Sequence, residues 1–169
     1  MSIISYRGKT PNIHPSVFIA EGAQIIGDVV IGKESSVWYN TVIRGDVNYI
    51  RIGERTNIQD NSVLHVTHKT FPLIIGSDVT IGHGAVVHAA TIFDCCLIGM
   101  NATVLDGAKV GPYALVAAGG VVLGGTVIPE GMLAAGVPAK VVRILTKEEK
   151  QFLEQSAKNY LQYVVSYKS

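Results

Sequence analysis

Aliphatic residues recur every sixth position along most of this chain, and no other feature narrows its fold so far. Written in sixes, the rows begin at Ile13, Ile19, Ile25, Ile31, Val37 and Ile43. After a three-residue slip come Ile52, Ile58 and Leu64, and after the insertion "KTFPL" come Ile75, Ile81 and Val87. One residue is then lost, and Ile92, Ile98, Val104, Val110, Val116, Val122 and Ile128 follow, with Ala134 as a weaker last row. Four places after each head stands a small or β-branched residue, from Val17, Ala23 and Val29 through Thr91 and Cys96 to Ala114. A six-residue row is one short strand and a turn. It cannot bury its aliphatic head alone, so rows must stack on one another.

The pattern resembles the hexapeptide repeat of left-handed parallel β-helices, over residues from about 10 to 140. That resemblance implies three rows per coil and a triangular prism with about 4.8 Å between coils. Heads would point inward and the small column would fill the corners. The expected fold class is all-β, a β-helix domain over residues 1–145 with a C-terminal α-helix over 146–169. The helix segment opens with Thr146 and Glu149, a capping box. Phe152, Leu153, Ala157, Tyr160, Leu161 and Val164 then recur at helical spacing, so the helix should lie back along the prism.

Composition removes several function classes. A net charge of +1 offers no basic stripe for nucleic acid and no polybasic membrane patch. Sparse aromatics argue against single-strand stacking, and no apolar run is long enough to span a bilayer. The N-terminal segment does not read as a signal peptide, and adjacent Cys95 and Cys96 imply no disulfide framework. A cytoplasmic placement is expected. Cys96 sits in the small column and should be buried; Cys95 stays open.

Rows three apart lie one coil apart, so Ile43, Leu64 and Val87 stack directly. The residues after them are Arg44, His65 and His88, three polar groups in one column of one face. Ile58 and Ile81 stack likewise, and two places after them stand Asp60 and His83, with Gln59 alongside. His65 and His88, one coil apart, lie within reach of one metal ion. His83 belongs to the preceding face and would reach such an ion only from a neighbouring subunit. His14 reads as a surface histidine, and His68, beside the insertion, as a loop histidine or a proton relay.

The segments "VIRGDV" (42–47), "NIQDNSVLH" (57–65) and "IGHGAVVH" (81–88) resemble the γ-class carbonic anhydrases and their close relatives. The resemblance implies reversible hydration of carbon dioxide to bicarbonate by a metal-bound hydroxide at the subunit interfaces of a homotrimer. His65 and His88 of one subunit and His83 of the next would bind zinc, with iron or cobalt also used. Gln59 would hydrogen-bond the metal-bound water, Arg44 and Asp60 would pair across the interface, and Asp46 would support them. Asn57 matches a polar place in the family motif, and Tyr160 a helix tyrosine aimed at the site. Two departures bear on turnover. Val47 stands where the best-studied form has a glutamate, and the insertion "VTHKTFPL" carries no carboxylate in place of an acidic loop. The competing readings are a hexapeptide acyltransferase using acetyl-CoA and a non-catalytic metal-bearing scaffold.

Overall fold

In a computed structural model, residues 1–168 are described. Ser169, the last residue of the expected helix domain, lies outside them. The architecture is a left-handed parallel β-helix closed by one C-terminal helix. Head pairs three rows apart are backbone partners throughout: Ile43 with Leu64, Leu64 with Val87, Ile58 with Ile81, Ile81 with Ile98. The expected stacking therefore holds in register.

Three faces result. The first stacks Ser2–Ile4, the front halves of Gln24–Ile31 and Val42–Ile52, then Val63–His65, Val86–His88, Thr103–Val104 and Val121–Val122. The second stacks Asn12–Ile13, the back halves of the same two long strands, then Leu73–Ile75, Thr91–Ile92, Lys109–Val110 and Val127–Ile128. The third runs from Phe18–Ile19 through Asn57–Ile58 and Thr80–Ile81 to Met132–Gly136, and ends in the antiparallel strand Ala139–Ile144.

Two details depart from the six-residue scheme. The three-residue slip is neither a loop nor a separate row. Val42–Ile52 is one continuous strand that turns a corner, and its pairing with Gln24–Ile31 shifts register between Gly27 and Val29. Where one residue is lost, Ala90 rather than Thr91 fills the corner, because the row from Val87 is one place short.

Nearly every head from Ile25 onward is fully buried, and the small column, with Ala23, Val29, Val79, Ala85 and Ala102 among its members, packs the corners between them. Cys96 is buried in that column as expected, and burial pushes its thiol up to about 12. Cys95 occupies a corner in the left-handed backbone region, φ 57°. Coils approach so closely at the turns that a Cβ on Gly53 would lie 2.6 Å from the Gly76 backbone. Ile98 is wholly enclosed by the stack. Ile98→Ala should cost about 2–5 kcal/mol, the range for truncating a buried isoleucine. A urea titration would show this as a lower midpoint at unchanged slope.

The helix Lys147–Lys168 begins at the expected capping box: Glu149 Oε2 accepts from the Thr146 N–H at 2.8 Å, and Thr146 Oγ1 from the Glu149 N–H at 3.2 Å. Hydrogen bonds from Arg143 and then from the Thr146 backbone hold the Glu149 carboxyl down at about 2. Leu153 and Ala157 form the buried stripe, whereas Phe152, expected on it, is exposed. The helix descends the third face, from Glu154 against Tyr113, through Ser156 against Thr80 and Tyr160 against Trp38, to Tyr167 against Phe18. It thereby brings Tyr160 to the coil that carries Asp60.

Candidate metal centre

His65 and His88 are direct backbone partners on the first face. Strand side chains alternate, so with Leu64 and Val87 pointing inward the next residue must point out. The two imidazoles stand with ring centroids 5.1 Å apart, and His65 Nδ1 lies 3.1 Å from His88 Nε2. Each outer nitrogen meets a carboxylate: His65 Nε2 lies 3.0 Å from Asp46 Oδ1, and His88 Nδ1 lies 2.5 Å from Asp106 Oδ1.

Ionised carboxylates only accept, so those outer nitrogens carry the protons. The inner pair, His65 Nδ1 and His88 Nε2, then present two lone pairs to each other when both rings are neutral. A cation between them resolves that opposition. Two nitrogens bound at 2.0–2.1 Å to a tetrahedral metal stand about 3.3 Å apart, close to the separation found here. Burial alone would raise the Asp46 carboxyl, but hydrogen bonds from His65 and Arg44 outweigh it and hold the group below its ordinary value. Asp106 behaves alike: burial works upward, and the Thr67 hydroxyl and His88 more than offset it.

His83 follows the strand Thr80–Ile81 on the third face and is exposed. Its Nδ1 lies 2.7 Å from Asp60 Oδ2, which leaves Nε2 outward. Its backbone N–H donates to Gln59 Oε1 at 3.1 Å, and Gln59 Nε2 donates to Asn57 Oδ1 at 3.1 Å. A cavity of about 360 Å³ opens beside them, lined by Trp38, Tyr39, Asp60, His83, Tyr160 and Tyr163 among others. Burial, and then the charge of Asp60, pushes the Tyr160 hydroxyl up to about 12.

One chain thus carries two half-sites on different faces. Among the described residues no three of His, Cys, Asp or Glu converge into a metal-holding cluster. The donor set fits a cation nonetheless, since three histidines each have one ring nitrogen backed by a carboxylate and the other left over. Such carboxylate–histidine pairs fix the tautomer of metal ligands.

The other expected residues are spread more widely. Arg44 pairs within its own chain with Asp46, and Asp60 with His83, so Arg44 and Asp60 do not meet inside one chain. Val47 packs against the core. His68 is exposed in the loop, and its ring makes no hydrogen bond among the described residues. Sequence reasoning missed Asp106 and Thr67. The column of Ile43, Leu64 and Val87 continues one coil to Val104, and Asp106 stands two places after that head. Asp106→Asn should weaken metal binding about 10- to 100-fold by releasing the His88 tautomer. A competition titration against a chelator would read this directly.

The stacked six-residue rows place the chain among the hexapeptide-repeat proteins. Residues 10–45 match the family described as bacterial transferase hexapeptide, six repeats. The chain is 48% identical to a carbonic anhydrase of Geobacillus kaustophilus, over 99% of this chain and 91% of that one. It is 50% identical to the mitochondrial gamma carbonic anhydrase 2 of Arabidopsis thaliana, over 90% of this chain and 57% of that protein, so it spans little more than half the plant relative's length. A solved structure of a hexapeptide transferase family protein from Anaplasma phagocytophilum has a TM-score of 0.94 at 43% identity, over 98% of this chain and 97% of that one. The chain belongs to the γ-class carbonic anhydrase family. No helix among the described residues is long and apolar enough to cross a membrane.

Proposed function

We propose that this protein catalyses the reversible hydration of carbon dioxide to bicarbonate, at a zinc site shared between the subunits of a homotrimer. The observation that carries the reading is the facing pair of ring nitrogens on His65 and His88, 3.1 Å apart, with the other nitrogen of each ring against a carboxylate. His83, backed by Asp60, supplies the third nitrogen from the adjoining subunit. When bound, a divalent cation with three neutral imidazoles and one open position lowers the pKa of water to about 7 and so supplies hydroxide at neutral pH.

The chain's own residues do the rest. Asp46, Asp60 and Asp106 hold the three rings in one tautomer and orientation. Gln59, with one amide N–H and one lone pair left over, orients oxygen at the site. Tyr160 stays protonated at neutral pH and keeps a donor facing the cavity. His68, beside Thr67 at the rim, passes protons to buffer. Its test is the proton-transfer rate of His68→Ala, and an unchanged rate removes it from the reading. Across the trimer interface Arg44 reaches Asp60.

The test is stopped-flow hydration of carbon dioxide by protein loaded anaerobically with zinc, iron or cobalt, with acetyl-CoA turnover as the rival assay. Hydration by the metal-filled protein supports the reading, and acetyl transfer would replace it with acyltransfer. A metal-filled trimer inert in both assays would make the chain a scaffold. The apolar Val47 and a loop free of carboxylates would then be the reason.

A further inference from the structure

A chain of hydrogen bonds joins the C-terminal helix to His83. Ser156 Oγ lies 3.1 Å from Thr80 Oγ1, and Asn57 Nδ2 donates to Thr80 Oγ1 at 3.0 Å. Asn57 Nδ2 also reaches the Val79 carbonyl at 3.4 Å. Asn57 Oδ1 accepts from Gln59 Nε2, and Gln59 Oε1 accepts from the His83 N–H. Asn57, Gln59 and Thr80 are 1%, 6% and 3% exposed, so these side chains find most of their partners in one another and in the backbone.

The direction of this chain is pinned at both ends. The Val79 carbonyl can only accept and the His83 N–H can only donate, so neither amide can be turned over without opposing like groups. Thr80 accepts from Asn57, and either hydroxyl can donate in its bond with Ser156. Every buried side-chain nitrogen and oxygen among the described residues has at least one partner, those of this chain included.

We infer that Thr80 and Ser156 are positioning residues for Gln59, coupling the orientation of its amide to the docking of the C-terminal helix. The kinetic part rests on the carbonic anhydrase reading; the geometric part stands without it. Without the Thr80 hydroxyl, Asn57 Nδ2 keeps only its long bond to the Val79 carbonyl, so the amide that accepts from Gln59 is held less firmly and the Gln59 pose loosens with it.

The test compares Thr80→Val and Thr80→Ser in the metal-loaded protein, each in the native background and in Gln59→Ala. Thr80→Val should lower kcat about tenfold, since small misplacements of a positioned group cost one to two orders of magnitude. Thr80→Ser should return to within about twofold, because the hydroxyl is restored. In Gln59→Ala, Thr80→Val should cause no further loss; an equal loss in both backgrounds would overturn the proposal. A second readout needs no activity. The Gln59 side-chain amide protons, followed by NMR, should exchange about tenfold faster in Thr80→Val, and faster in the same sense in Ser156→Ala. Unchanged exchange in Thr80→Val overturns the inference. Absence of hydration in every form, with the exchange change present, would instead sink the functional reading alone.

Discussion

Replacing His88 with alanine is expected to strip the metal and abolish carbon dioxide hydration, while the fold survives. His88 is partly exposed and points away from the core, so its loss leaves the stacked heads untouched. The consequence at the site is severe for two reasons. His65 Nδ1 loses the nitrogen that faces it at 3.1 Å, and Asp106 loses the ring that it orients. Disturbing an orienting partner alone costs about 10- to 100-fold in metal affinity, so removing a ligand should cost at least the upper figure. Metal analysis after dialysis should find less than about one-tenth of the native content, and hydration should fall with it. A His88→Ala protein that keeps full metal and full turnover would remove this half-site from the account.

The stacking order was legible because backbone pairing three rows apart leaves a repeating inward aliphatic, and every head pair from Ile13 with Ile31 to Val116 with Ala134 obeys it. The slip after Ile43 was not legible as a strand. A count of sixes says that residues are added, not whether they stay extended, and here Val42–Ile52 remains paired through the corner. The same count misplaces Thr91, since a shortened row moves the corner residue to Ala90. Phe152 falls on the helical stripe by spacing, yet the buried line runs through Leu153 and Ala157, one position around the helix.

At the site, His65, His83 and His88 were readable because the aliphatic heads set their places. Their carboxylates were less so. Asp46 reads as support from its motif, but its bond to His65 depends on the corner that Val42–Ile52 makes. Asp106 lies in the coil above His88, in a row whose first outward residue is Leu105. A scan confined to the residue after each head passes it by. Arg44 illustrates the remaining limit, since its partner within the chain is Asp46 and its role toward Asp60 needs a second copy.

That second copy is the central claim, and subunit complementation tests it most directly. Co-express His83→Ala and His88→Ala chains in equal amounts, and purify trimers that carry both. A site shared between subunits is intact only where a His83→Ala chain supplies His65 and His88, and a His88→Ala neighbour supplies His83. Around a cyclic trimer of either mixed composition that happens at one interface, so about a third of the sites are restored. Metal content and carbon dioxide hydration should therefore rise from near zero in either parent to about one third of native. Mixed trimers that stay as empty and inactive as both parents would contradict the account and confine the site to a single chain.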